Sequence, residues 1–109
     1  MKKSERSDSN YELLSGFIRL HVLFHADREP VVGFWMIEEL SRHGYSLSTG
    51  TMYPMLRSME LKGWLRSTAK REGKRSWREY RATAKGKKAL AEARLKLREL
   101  FHEVIEEER

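Results

Sequence analysis

Apolar residues recur at spacings of three and four over most of the chain and give way to a basic, turn-centred stretch only once. In NYELLSGFIRLHVLFHA the residues Leu13, Leu14, Phe17, Ile18, Leu20, His21, Leu23 and Phe24 make a wide apolar face. That pattern predicts a helix of about four turns, largely covered by the rest of the protein. DREP ends it, because Pro30 forces the preceding residue out of the helical region and itself suits a helix start. VVGFWMIEELSRHG predicts a second helix, with Val32, Met36 and Leu40 on one face, Trp35 and Ile37 at its margins and Gly44 as a left-handed cap. In STGTMYPMLRSMELKG, Met52, Leu56 and Met59 fall at spacings of four and three with Met55 beside them, one buried stripe on a third helix. Ser48 or Thr49 can cap its start, and Gly63 ends it. Pro54 is tolerated without cost only in a first turn, which puts the expected start near Thr51.

Two helices joined by a short turn form a helix-turn-helix. WLRSTAKREGKRSWREYRAT then reads as two strands, 64–71 and about 76–81, around Glu72, Gly73 and Lys74, and a hairpin in that place is a wing. Thr83 caps a final helix of roughly 24 residues, ~36 Å long. On it Leu90, Ala93, Leu97, Leu100 and Val104 keep the a and d spacing of a packing seam, widened by Leu95, Phe101 and Ile105. So long a helix has little domain left to pack on. Its seam is expected to meet the same helix, or the first helix, of a second chain, through Leu13, Phe17, Leu90, Leu97, Leu100, Phe101 and Val104. The expected fold is mainly α with a small β-hairpin: a polar, disordered tail over 1–10, a winged helix-turn-helix over 11–82 and a dimerisation helix over 83–109.

Composition sharpens this picture through charge. The 109 residues carry a net charge of +6. Twelve Lys or Arg lie between Arg57 and Lys88 against three acids, Glu60, Glu72 and Glu79, whereas the chain ends in an acidic stretch. Segregation of this kind points to a localised anionic partner. Around the hairpin turn, Lys70, Arg71, Lys74, Arg75 and Arg78, with Arg81 just beyond, repel one another and do not cluster for stability alone. On the third helix the face opposite the core displays Ser48, Thr49, Thr51, Tyr53 and Arg57, groups suited to base edges and phosphates. Helix and hairpin together therefore predict binding to double-stranded DNA, the helix in the major groove and the wing cations on neighbouring backbone.

Other chemistries are not expected. The chain has no phosphate-binding glycine loop, no GxSxG, no HExxH and no carboxylate pair placed as in a cleft, so an enzyme is not expected. Zero Cys removes disulfides, thiolate nucleophiles and Cys-based zinc sites. His21 and His25 stand four apart, a spacing that lets two imidazoles reach one metal ion, but no third ligand accompanies them, so neither a metal nor a cofactor is expected. No apolar run approaches the ~20 residues of a membrane span. No apolar core of a signal peptide follows the start, and a cytoplasmic protein is expected.

LSTGTMYPMLRSMELKGWL resembles the signature of the PadR family of transcriptional regulators, at Ser48, Gly50, Thr51, Met52, Tyr53, Pro54, Leu56, Met59, Glu60 and Gly63. The resemblance extends upstream to GFWMIEEL and downstream to GKRSWREYRATAKG, with Tyr80, Ala82, Thr83 and Gly86 at the exit from the wing, and the single long last helix is similar to the short subgroup of the family. It adds Gly50 and Pro54 to the expected DNA-binding residues. It implies a winged-helix homodimer that represses transcription from a palindromic operator and, in many members, is released by a small aromatic effector. Phe17, His21, Phe24 and Trp35, near the expected join of the first, second and last helices, with Phe101 opposite, are the candidates for such an effector. The chain lacks a Trp on its last helix of the kind that lines the drug pore of multidrug-binding members. The rival expectation is a winged-helix module whose hairpin binds an acidic protein surface.

Overall fold

The computed structural model describes the backbone of residues 2–106 and the side chains of residues 10–106. Four helices and one antiparallel hairpin follow in the order α1 (Lys2–Arg28), α2 (Gly33–Arg42), α3 (Thr49–Leu61), β1 (Leu65–Glu72), β2 (Arg75–Ala82) and α4 (Ala84–Val104). Helix α1 starts at Lys2, so helical backbone takes in most of the segment expected as a tail. The last acidic residues, 107–109, lie outside the described residues.

One core joins all the elements. Ile18, Val22, Leu23 and Ala26 of α1 pack with Met36 and Leu40 of α2 and with Met52, Met55, Leu56 and Met59 of α3, and Leu65, Tyr80 and Leu90 close it from the hairpin and α4. The stripe expected on α3 is thus the buried one. Four methionines in this core fill an irregular space where three helices and a hairpin meet at different angles, a task that suits an unbranched, adaptable side chain. Leu90, expected at the seam between chains, is only 4% exposed inside this core. The same apolar period serves burial within a chain or between chains, and at this first turn of the seam it is burial within.

The turns follow local chemistry. Gly44 (φ 89°) and Gly63 (φ 85°) end α2 and α3 in the left-handed region that costs other residues energy. The hairpin register pairs Glu72 with Arg75 and leaves a two-residue turn. Gly73 there has φ 63° and Lys74 a negative φ, the arrangement of a type II′ turn, whose twist matches that of the strands. Thr83 caps α4 as expected, its hydroxyl accepting from the Gly86 amide at 3.0 Å.

Two local expectations are corrected. Pro30 does not begin α2; the next residue, Val31, pairs as a β-bridge with Tyr80, exchanging backbone hydrogen bonds of 2.9 and 2.8 Å, so the hairpin gains a third, one-residue strand. Helix α3 begins at Thr49 rather than Thr51, which moves Pro54 into its second turn. Pro54 has no N–H to offer the Gly50 carbonyl, and the loss is tolerable because both residues are exposed and water can take the donor's place.

Candidate nucleic-acid interface and the adjoining cavity

Helix α3 divides along its length. Thr49, Tyr53 and Arg57, four residues apart, form one exposed stripe, and Gly50 and Pro54 form the stripe beside it, while Met52, Met55, Leu56 and Met59 are buried behind them. Ser48 is exposed at the N-cap position, but its hydroxyl turns to the Thr51 hydroxyl at 3.5 Å instead of capping an amide, and Thr51 is half-buried. Gly50 has no internal reason to lack a side chain: an added Cβ would meet nothing closer than Ser48 Oγ at 3.6 Å. What the missing side chain leaves bare is the outer surface of the first turn.

Tyr53 is held at the phenol end of its ring. Its ring lies against Gly33, the first residue of α2, so closely that a Cβ there would stand 2.5 Å from Cε1. The side chain is still 43% exposed, which leaves the phenol fixed on one face and open on the other. Tyr80, beneath, has its phenol pushed up in pKa chiefly by burial, then by the Glu60 carboxylate, so it stays a neutral hydrogen-bonding group.

The hairpin register sorts the wing cations onto two faces. Arg71 and Arg78 share a face with Ser67 and Tyr80, the face that closes on α3; Lys70 and Arg75 share the other with Trp77. Each face has its own order. Arg78 Nη1 donates to Ser67 Oγ at 2.9 Å, and Arg71 Nε to the Gly73 carbonyl at 3.3 Å. On the far face the Arg75 guanidinium stands 5.0 Å over the Trp77 ring, whose Nε1 donates to Glu79. Among the described residues no acid pairs with Lys70, Arg71, Lys74, Arg75 or Arg78; the ion pairs lie on α1, α2 and α4. The basic window narrows beyond the wing, because Lys85 Nζ donates to the Lys62 carbonyl at 2.8 Å and Lys87 pairs with Asp27 at 3.2 Å.

On the opposite side, a cavity of about 540 Å³ opens between α1, α2 and α4. Phe17, His21 and Phe24 line it together, as expected. Trp35 does not: its ring stands 5.2 Å from that of His25, over a separate hollow next to Pro30. Phe101 lies farther along α4, on an apolar hollow of about 630 Å³ shared with Phe17, Leu97, Leu100 and Val104. The five candidates are therefore spread over four hollows, and Phe17 lines three of them.

The cavity wall contains groups that the periodic pattern did not single out, His43, Glu39, Tyr45 and Arg94. The His21 ring lies 4.7 Å from that of His43, tilted to it, and 5.5 Å edge-on from that of Tyr45, while Glu39 Oε2 is 3.1 Å from His43 Nε2 and 3.5 Å from His25 Nε2. Burial, then the neighbouring His43 and His25, lower the pKa of His21, which favours its neutral form. The hydrogen bond with His43 leads the effects that keep Glu39 ionised. Only the spacing of Glu39 and His43, one helical turn apart, hints at this cluster from α2 alone. Among the described residues no group of three or more His, Asp or Glu is arranged to hold a metal ion.

Residues 22–92 match the model of the transcriptional regulator PadR-like family. The chain is 48% identical over 88 residues to the transcriptional regulator Rv3488 of Mycobacterium tuberculosis, covering 81% of this chain and 82% of that one. Among solved structures it is similar to a PadR family transcriptional regulator from Eggerthella lenta, at 29% identity and a TM-score of 0.78 over 94% of this chain and 91% of that one. A PadR-like transcriptional regulator from Bacillus cereus is similar at 25% identity and a TM-score of 0.76, over 85% and 92% of the two chains.

Proposed function

Because the chain belongs to the PadR-like family of transcriptional regulators, we propose that it acts in the cytoplasm as a homodimeric repressor of a palindromic operator. Each protomer seats α3 in the major groove of one half-site, with Thr49, Tyr53 and Arg57 toward base edges and Ser48, Gly50, Thr51 and Pro54 at the approach to the backbone. Lys70, Arg71, Lys74, Arg75 and Arg78 hold flanking phosphates or the minor groove.

The observation that carries this reading is the exposed Thr49–Tyr53–Arg57 stripe, with the bare backbone of Gly50, next to five wing cations that no acid of the described residues neutralises. A merely solvated surface gives no reason to strip the side chain from Gly50 or to leave so many like charges unpaired.

Dimerisation is supported by the far half of α4. Leu100, Phe101, Val104 and Ile105 are 41 to 68% exposed in a single protomer, and Leu13 of α1 is 79% exposed. A soluble protein rarely leaves such a continuous apolar surface open. Second copies of α1 and α4 would cover it, with Leu13, Phe17, Leu97, Leu100, Phe101 and Val104 at the interface. A small aromatic effector has its best place in the cavity lined by Phe17, His21 and Phe24, next to that interface, where it would bias how the two protomers sit.

The test is fluorescence anisotropy on the duplex upstream of the protein's own gene, compared with a scrambled duplex. Sub-micromolar, sequence-selective binding that weakens steeply with salt is expected. Equal affinity for both duplexes would sink the operator reading and favour an acidic protein partner for the wing. Titration of phenolic acids and aromatic cations against Trp fluorescence tests the effector.

A further inference from the structure

At the junction of α3 and the wing a single hydroxyl joins two charged groups of opposite sign. Glu60, in the last turn of α3, accepts from the Ser67 backbone amide at 3.3 Å and from Ser67 Oγ at 2.7 Å through the same oxygen, Oε2. Ser67 Oγ in turn accepts from Arg78 Nη1 at 2.9 Å. Ser67 pairs with Tyr80 across the hairpin and Arg78 with Ala69, so Ser67 and Arg78 are diagonal neighbours on the face that closes on α3.

We propose that Ser67 is a positioning residue for DNA binding, a relay through which Glu60 aims the Arg78 guanidinium of the wing alongside α3. The direction of the relay is set by proton count. A serine hydroxyl has one proton, and the short contact commits it to the carboxylate, so its lone pairs are turned toward Arg78. The same Glu60 oxygen grips the β1 backbone, so Arg78 is referenced to the helix and not only to its own strand. The interposed hydroxyl also matters electrostatically. A direct Glu60–Arg78 pair would fix the side chain but cancel its charge. A neutral bridge fixes it and leaves the charge for a phosphate. An exposed arginine otherwise loses rotamer freedom when a phosphate immobilises it, so ordering it beforehand favours binding.

This inference rests on the assignment of Arg78 to the DNA interface, and the test separates the two. Binding to the duplex upstream of the protein's gene is measured from low to high salt for the native protein and for Arg78→Ala, Ser67→Val and Ser67→Thr; valine and threonine have the same shape, and only threonine has the hydroxyl. Each phosphate contact contributes about 0.9 to the slope of log affinity against log salt on B-DNA. Arg78→Ala should lower the slope by about that amount. Ser67→Val, which removes no charge, should keep the native slope but weaken binding several-fold at every salt concentration and add nothing to Arg78→Ala when the two are combined, whereas Ser67→Thr should keep the native affinity. Native affinity for Ser67→Val beside a reduced slope for Arg78→Ala overturns the relay and leaves the DNA reading intact. Equal losses for valine and threonine also overturn it, because shape and not the hydroxyl would then matter. A native slope for Arg78→Ala overturns both the relay and the place of Arg78 on DNA.

Discussion

Replacing Gly33 by alanine should damage DNA recognition without touching the recognition helix and without weakening the fold. The new Cβ would lie 2.5 Å from Cε1, 2.8 Å from Cζ and 3.0 Å from the phenol oxygen of Tyr53. Ordinary carbon contacts lie near ~3.5–4.0 Å, so one partner must retreat by about 1 Å or more. Gly33 is buried and backed by the core through Met36, whereas the Tyr53 ring is 43% exposed, so the ring is the partner that moves. Alanine is the better helix former by up to ~1 kcal/mol, so the melting temperature should hold or rise slightly. Losing one well-placed base contact costs about 1–3 kcal/mol, roughly 5- to 150-fold in affinity. Anisotropy against the operator duplex and a scrambled duplex, with a thermal melt of the same protein, checks both halves. Native affinity for the operator in Gly33→Ala would refute the seating of Tyr53, and equal losses on both duplexes would refute its role in reading bases.

Other perturbations separate stability from assembly. Gly86→Ala would drive a Cβ into the Trp64 carbonyl oxygen, a backbone atom that cannot swing aside, and should cost about 2–3 kcal/mol and lower the melting temperature by on the order of 10 °C. Leu90→Ala should destabilise the fold by about 2–5 kcal/mol by chemical denaturation, since this leucine is core. Phe101→Glu, by contrast, changes a residue 46% exposed in the protomer and should give monomers in sedimentation with helicity by circular dichroism retained; a dimer would refute the α4 interface. His21 has its folded pKa lowered, so the unfolded chain takes up its proton first as the pH falls. The stability it contributes is complete above about pH 6.5 and drains away below it, and His21→Leu should flatten that slope in urea midpoints measured from pH 7.5 to 5.5.

What was legible in the sequence was what local chemistry decides. The buried stripe of α3 follows from a 3.6-residue period, the wing turn from a glycine between two basic strands, and the start of α4 from Thr83, and each of these is written within a few neighbouring residues. Helix α3 starts two residues before the expected Thr51, because the rule against proline counts a lost hydrogen bond and not where it is lost. At Pro54 the orphaned carbonyl is that of Gly50, an exposed residue. The Val31–Tyr80 bridge has no sequence sign at all, since a one-residue strand has no period. Leu90 exposes a different limit: a seam of leucines records that something covers it, and only the packing of α1 on α4 says which chain does so. His21 and His25 could be paired by spacing, but Glu39 and His43 reach them from another helix, and no spacing along one helix predicts that meeting.

The Val31–Tyr80 bridge makes the wing hang from main chain. Its two hydrogen bonds use only N–H and C=O groups, which every residue except proline can supply, so the wing's attachment to the loop before α2 is indifferent to the identity of the side chains around it. The strand surfaces proposed to meet DNA should therefore tolerate rewriting, charge for charge or charge for neutral, while the wing keeps its angle to the body of the protein. Such an anchor suits the redesign of operator preference: exposed positions of the hairpin can be randomised, and slow hydrogen exchange of the Val31 and Tyr80 amides, expected from their paired bonds, would report whether a variant has kept its frame.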